Sequence, residues 1–504
     1  MVQLKIDGRI IEVREGLTVL QAAREAGVQI PTLCDHPAVK AYGSCRLCLV
    51  EVKGARTLQT SCTLPVMEGM EITTSSPAIL TARKFVLSML FSERNHFCPF
   101  CQVTGGDCEL QNAALAEGMD HWPIQPNWKT FPVDASNPYI LLDHNRCILC
   151  RRCARVCSEL VGVSTLDMQC RGSETLLSAD LGNPLGYSTC ISCGTCVQAC
   201  PTGALIDRTS AYQGKKSDLT VTRSVCAGCG LGCEVDILTR DNRLVRIEGV
   251  WENEKNHGVL CKTGRWGVAN ERRERFTQPM VRVEGKLTPA TWDEAMAAAA
   301  RLFDNNSDKT VIVSPRMPVE TMVVLSGLTS SGFETMKMGE TEISPIAPLI
   351  GKEYAAAGAS WLFEIETNNP SGVNNFAVKA GANEEAANRL KYAEAGALGQ
   401  NTTALVILGD DHVPEKLAEK ISAINGWVAA ASYLSPELES AAVVLPLATW
   451  LEQEGHYLNM VGLLQKANAA IIPPTGVKTS TELASEFAQK FGAAAQGDWR
   501  SILA

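Results

Sequence analysis

The chain has 504 residues, 45% hydrophobic and 20% charged, with a net charge of −9 and no polybasic tract, which argues against a nucleic-acid partner. No run of 18 apolar residues occurs, and Met1-Val2-Gln3-Leu4-Lys5 opens a strand pattern rather than a signal peptide, so a cytoplasmic chain of about three to four domains is expected. Twenty cysteines without an export signal exclude a secreted disulfide framework; all but Cys170 fall into five groups, the pattern of metal sites.

From the N-terminus, Val2, Leu4 and Ile6 alternate with polar residues, Asp7-Gly8 turns, and Ile10 and Val13 follow, which predicts a hairpin. Thr18 is placed to cap a helix running through Ala26, which Gly27 ends. Cys34, Cys45, Cys48 and Cys62 come next, spaced C-x10-C-x2-C-x13-C. Three cysteines on a loop and a fourth further on resemble the [2Fe–2S] ferredoxin arrangement. The tight Gly43-Ser44-Cys45-Arg46-Leu47-Cys48 turn lets backbone N–H groups face the sulfides. Zinc is the alternative that the CxxC pair alone would allow.

A helix from Leu80 to Phe91 leads into Asn95-His96-Phe97-Cys98-Pro99-Phe100-Cys101 and, after six residues, Cys108-Glu109-Leu110-Gln111. Three cysteines fall one short of a cubane. His96 is the nearest unclaimed soft ligand, and imidazole on iron changes its potential. The remaining histidines (His36, His121, His144, His257, His412 and His456) read as surface or core residues. Residues 119–145 read as a connector carrying Trp122, Pro123, Pro126, Trp128 and Pro132.

The strongest pattern follows: Cys147-x2-Cys150-x2-Cys153-x3-Cys157, then Cys190-x2-Cys193-x2-Cys196-x3-Cys200-Pro201. A [4Fe–4S] cubane takes three thiolates from one tight run and, in two-cluster ferredoxins, its fourth from the other run. One set is therefore Cys147, Cys150, Cys153 and Cys200, the other Cys190, Cys193, Cys196 and Cys157. Two intact tandem motifs speak against zinc. Ser158 stands where proline usually follows. Cys170 matches no spacing and reads as a buried apolar thiol, and Lys215-Lys216-Ser217 as a short linker.

Cys226-x2-Cys229-x3-Cys233-x27-Cys261 supplies a further four-thiolate set, with a hairpin expected inside the long gap, from Val235 and Ile237 through Asp241-Asn242 to Leu244, Val245 and Ile247. Gly228-Cys229-Gly230-Leu231-Gly232 lies within this motif, not between a strand and a helix, so it is no dinucleotide fingerprint. Beyond 284 cysteine disappears. Periodicity predicts a helix over Trp292–Phe303, strands over Thr310–Val313 and Thr403–Leu408, a helix over Pro414–Ile424, and strands over Trp427–Tyr433 and Ala441–Leu447. That alternation implies an open α/β domain with a largely parallel sheet.

The order of motifs resembles the large iron–sulfur subunit of bacterial complex I (NADH–quinone oxidoreductase), and related subunits of NAD-linked hydrogenases and formate dehydrogenases. Two late stretches, Leu287-Thr288-Pro289-Ala290-Thr291-Trp292-Asp293-Glu294-Ala295 and Ala441–Pro446 with Glu454-Gly455-His456-Tyr457-Leu458-Asn459, are similar to the molybdopterin oxidoreductase fold. The resemblance implies a multidomain α+β and α/β chain. Its parts are a β-grasp [2Fe–2S] domain (1–78), a His/Cys3 [4Fe–4S] module of His96, Cys98, Cys101 and Cys108 (79–118), and a tandem ferredoxin-like domain (136–212). A molybdopterin-oxidoreductase-type [4Fe–4S] segment (219–275) and a truncated molybdopterin oxidoreductase-like α/β domain (280–504) complete it. Lys262-Thr263-Gly264 departs from the family's usual x-Lys-Gly after the fourth cysteine.

By that resemblance the chain is expected to carry one [2Fe–2S] and four [4Fe–4S] clusters, with no molybdopterin, flavin or NAD and no catalytic residue of its own. The implied partners are a flavin- and NADH-binding subunit, a small [2Fe–2S] subunit, and a further redox module: a hydrogenase, a formate dehydrogenase, a ferredoxin-linked module or a membrane quinone arm. Membrane contact is expected only through them, on the inner face of the cell membrane. The alternative is a catalytic molybdenum or tungsten subunit of a formate dehydrogenase-like enzyme. Against it, the stretch after Cys261 is short for a pterin-binding module and contains no cysteine that could ligate the metal.

Overall fold

Alternation decides the first sheet. Strand Val2–Ile6 buries Val2, Leu4 and Ile6 and exposes Gln3 and Lys5. The computed structural model describes residues 1–121, 123–126, 128–306, 308–338, 344–359, 362–365, 375–378, 383–396, 398–424, 426–493 and 500. Trp122 of the connector lies outside these, as do Asn368-Asn369-Pro370 and Asn374, which the sequence suggests as loops. The chain divides into two compact units, one within Met1–Leu219 and the other starting at Thr220.

In the first unit, Val2–Ile6 pairs antiparallel with Arg9–Val13 and parallel with Glu71–Thr73. The sheet order is Arg9–Val13, Val2–Ile6, Glu71–Thr73, Leu49–Val52, Gln59–Thr60. Helix Val19–Glu25 opens on a capping box: Thr18 Oγ1 accepts from Gln21 N at 3.3 Å, and Gln21 Oε1 accepts from Thr18 N at 2.8 Å. Such a cap contributes about 1 kcal/mol. Burying Val19 and Leu20 against the sheet contributes about 1.5–3 kcal/mol each, so packing holds this β-grasp together and the cap sets where the helix starts.

The helix expected from Leu80 spans Pro77–Glu93, because Ser76 caps it and Pro77 fits its first turn. Its buried Arg83 donates to Glu117 at 3.1 Å, to the Leu49 carbonyl at 2.8 Å and to the Thr74 carbonyl at 3.1 Å. One side chain thereby ties the helix to the β-grasp sheet and to the end of helix Glu109–Ala116. Farther on, strand Ile140–Asp143 pairs antiparallel with Leu205–Asp207, between which lie helices Arg152–Arg155 and Thr195–Ala199. Pro201 lacks the N–H a helix needs, and Thr195–Ala199 stops before Cys200. Ser158 imposes no such stop. The helix runs on past Cys157 as a wider turn over Val156–Val161, ending at Gly162 with φ +82°.

Lys215-Lys216-Ser217 is not a free linker, since the Lys216 N–H donates to the Asp107 carboxylate at 2.9 Å.

The second unit begins with the antiparallel sheet Thr220–Val225, Glu234–Arg240 and Arg243–Gly249. The expected hairpin turns at Asp241-Asn242, whose φ values of +50° and +58° match a tight two-residue turn. A larger sheet has the order Lys286–Pro289, Met280–Val283, Val443–Pro446, Gly426–Ala431, Thr403–Gly409, Lys309–Val313, Phe333–Lys337, Ala393–Glu394. Its neighbours from Val443–Pro446 to Ala393–Glu394 are parallel, and the Met280–Val283/Lys286–Pro289 hairpin forms an antiparallel edge. Helices Trp292–Asp304, Val319–Ser326 and Ser480–Lys490 cover one face, with Phe303, Phe333 and Phe487 between. Helix Glu415–Ser422 covers the other through Leu417 and Ile421, alongside Trp427. The fold is multidomain and mixed, as the sequence implied.

Candidate metal centres

Each cysteine group becomes a ring of side chains. Cys34, Cys45, Cys48 and Cys62 come close enough to shift one another: Cys45 and Cys62 hold the Cys34 thiol below the usual thiol range, and Cys34 holds the Cys45 thiol above it. Arg46 takes a left-handed φ of +58° and Gly43 one of +73°, which folds the loop tightly.

His96, Cys98, Cys101 and Cys108 line one small cavity with Arg146, Thr202 and Gly203. His96 Nε2 is buried with no hydrogen-bond partner. Burial, then the nearby Arg146 and Arg94 charges, pushes its pKa down to about 4, so the ring is neutral and Nε2 is free to bind a metal. Glycine is needed at 203, because a Cβ there would stand 2.5 Å from Cys101 Sγ.

The tandem motifs cross over. Cys157 lines a cavity with Cys190, Cys193 and Cys196. Cys200 instead acts on the Cys147, Cys150 and Cys153 thiols. In the second unit Cys226, Cys229, Cys233 and Cys261 converge likewise. There Cys226 Sγ accepts from Gly228 N at 3.5 Å, and Cys261 Sγ from Gly264 N at 3.2 Å. The late Glu454–Asn459 stretch reaches this loop, where the Met460 N–H donates to the Gly230 carbonyl at 2.8 Å.

Burial pushes the Cys108, Cys147, Cys157 and Cys226 thiols up to about 11. Such thiols become thiolates only against a compensating positive charge, and iron supplies one. Four thiolates, or three thiolates and an imidazole, are donor sets that fit an iron–sulfur cluster.

Family models match in sequence along the chain: a 2Fe-2S iron-sulfur cluster binding domain over 1–77, and an NADH-ubiquinone oxidoreductase-G iron-sulfur binding region over 83–123. An NADH-quinone oxidoreductase subunit 3 ferredoxin-like domain matches 137–206, and a molybdopterin oxidoreductase Fe4S4 domain 219–270. Molybdopterin oxidoreductase itself matches 275–370 and 355–490. A G-type subunit of NADH-quinone oxidoreductase from Rhizobium meliloti is 35% identical over 70% of this chain and 42% of its own length. Its counterpart from Streptomyces coelicolor is 34% identical over 66% of this chain and 40% of its own. The chain is thus similar to the G subunits of NADH-quinone oxidoreductase.

Also similar is the NADPH-Fe(3+) oxidoreductase subunit alpha of Geobacter sulfurreducens, 36% identical over 60% of this chain and 35% of its own length. The chain thus spans about two fifths, 35–42%, of the length of these relatives. Among solved structures, an NAD+-reducing [NiFe]-hydrogenase in the H2-reduced state is 38% identical, over 43% of this chain and 91% of that one, with a TM-score of 0.41.

One expectation fails: Cys170 is exposed, not buried. It follows strand Leu166–Gln169 at a left-handed φ of +61°, in the turn leading to strand Leu176–Ala179, where no core exists to receive it. Spacing also missed the arginines around the rings. Arg94 lies 4.0 Å over the Phe131 ring, with Nε and Nη1 buried and unpaired. Arg152 grips Glu109 with both ends, at 2.6 and 2.7 Å. Arg316, 3.1 Å from Asp411, acts on the Cys226 and Cys229 thiols. Their partners are distant in sequence, so no local motif marks them.

Proposed function

We propose that the chain is the iron–sulfur electron-transfer subunit of an NADH-linked oxidoreductase complex, standing between a flavin-bearing, NADH-oxidising subunit with a small [2Fe–2S] companion and a further redox module. Bound clusters would supply one-electron carriage. Cys34, Cys45, Cys48 and Cys62 would hold a [2Fe–2S] group, and His96, Cys98, Cys101 and Cys108 a [4Fe–4S] group. Cys147, Cys150, Cys153 and Cys200 would hold a second cubane, Cys190, Cys193, Cys196 and Cys157 a third, and Cys226, Cys229, Cys233 and Cys261 a fourth. The corresponding modules are 1–78, 79–118, 136–212 and 219–275, with 280–504 as a molybdopterin oxidoreductase-like body that takes no pterin.

The observation that carries this reading is one apolar block. Leu33, Cys34, Leu47, Leu87, Phe91, Cys108, Leu110, Ile148 and Cys150 pack into a single cluster, so three of the rings share one dry wall. Side chains that exclude water from three adjoining rings suit conduction between groups bound there. Beside Cys226 lies a cavity of about 220 Å³, lined by Arg316, Asp410, His412 and Trp450. Ligand pockets usually measure about 300–1,000 Å³, which favours the conducting role over a catalytic pterin centre. No described helix is long and apolar enough to cross a membrane.

Anaerobic metal and sulfide analysis of the purified chain tests the reading. The expected content is about 18 iron atoms per chain. Stoichiometric zinc would overturn the cluster assignment, and stoichiometric molybdenum or tungsten would favour the formate dehydrogenase-like alternative.

A further inference from the structure

We propose that Arg155 is a positioning residue for the Cys34, Cys45, Cys48 and Cys62 site, locking its loop and supplying a fixed positive charge that favours the site's reduced state. This rests on reading that site as a two-iron centre.

Arg155 sits on the helical turn between Cys153 and Cys157, which belong to different tandem rings. It is 8% exposed. Its guanidinium donates to the carbonyl of Cys34 and to that of Lys40, which lie 121 and 115 residues away in the chain. The same loop offers Tyr42, whose ring centroid is 5.7 Å from the guanidinium carbon. A second tie holds the two segments together: Lys40 N donates to Glu159 at 2.9 Å. The turn itself is anchored, since neighbouring Arg152 grips Glu109 beside Cys108.

Charge completes the argument. Arg152 has a carboxylate, whereas the guanidinium of Arg155 meets only carbonyls and an aromatic face among the described residues. A buried cation needs a compensating negative charge. A two-iron centre on four thiolates would carry a net charge of −2, and one-electron reduction would make it −3. A fixed cation beside the ring therefore stabilises the reduced form more than the oxidised. Two donors on a planar fork also hold the carbonyls of residues 34 and 40 in one orientation, which a lysine could not do.

The test is an EPR-monitored redox titration of the full chain, purified anaerobically with its clusters. The proteins compared are the parent, Arg155→Met, Arg155→Lys and Arg155→Gln. Arg208→Met serves as control, because the Arg208 guanidinium binds the carbonyls of Ala135 and Asn137, neither of them in the loop that carries Cys34, Cys45 and Cys48. At the potential where the parent two-iron signal is half reduced, Arg155→Met is expected to lower the reduced-to-oxidised ratio about tenfold. Arg155→Lys should recover most of that ratio, and Arg208→Met should match the parent. A parent-like titration of Arg155→Met overturns the proposal, as does a lysine variant that falls as far as methionine. If the methionine variant loses its two-iron signal, the lysine and glutamine variants decide: equal ratios in the two reject the role of charge. A parent chain without any two-iron signal would sink the site reading as well, whereas an intact parent signal with unshifted variants removes this inference alone.

Discussion

His96 is the residue at which sequence and structure meet most directly. Three cysteines left a place for a fourth ligand, and the nearest imidazole is neutral, with Nε2 buried and unpaired. His96→Ala is expected to abolish one [4Fe–4S] EPR signal and to lower iron by about four atoms per chain. His121→Ala should change neither, because His121 is exposed and pairs with Asp120. Cys170 makes the opposite case. It is the exposed member of the twenty cysteines. Anaerobic alkylation of the folded, cluster-loaded protein should therefore modify one thiol, identified by peptide mass as Cys170, and Cys170→Ser should keep full iron content. The proposed ligand residues could be picked out in the sequence because tight loops write their spacing locally. Arg94, Arg152 and Arg155 could not, since each meets its partners across 37 to 121 residues, counting Phe131 for Arg94, Glu109 for Arg152 and Cys34 for Arg155.

At the scale of elements, periodicity read the interior well and the margins poorly. Helix Trp292–Asp304 and the central strands Lys309–Val313, Thr403–Gly409 and Gly426–Ala431 lie close to their expected bounds, because their apolar runs face a core. The edge hairpin Met280–Val283/Lys286–Pro289 escaped, since it is half-exposed and carries little alternation. So did the extended turn after Cys157, which only the substitution of Ser158 for proline foreshadows. Close backbone approaches give the sharper test. At the end of strand Arg243–Gly249, a Cβ on Gly249 would stand 2.2 Å from the Gly258 carbonyl oxygen, with no flexible side chain to give way. Gly249→Ala should cost about 1–3 kcal/mol or more. A lower midpoint of thermal unfolding, together with loss of the fourth cubane's EPR signal, is the expected result; an unchanged midpoint would show that the hairpin moves freely.

For the whole molecule, the order of cysteine groups was enough to point to the NADH-quinone oxidoreductase G subunits as relatives, while the extent of the large sheet had to come from the structure. Gly228–Gly232 illustrates why motif context matters: these glycines lead into strand Glu234–Arg240 of an antiparallel sheet, not into a helix that could cradle a pyrophosphate. The purified chain alone should accordingly show no NADH–ferricyanide activity, and activity should appear on adding a flavin-bearing partner. Robust activity in a preparation free of other subunits would contradict the division of labour proposed above.

The apolar block behind Cys34, Cys108 and Cys150 also bears on how such a unit ages. Protein interiors are packed like crystals, and a displaced member leaves its neighbours without contacts. Were one ring to lose a bound iron–sulfur group, Leu33, Phe91 and Leu110 would lose contacts, and the wall they share with the neighbouring rings would loosen with them.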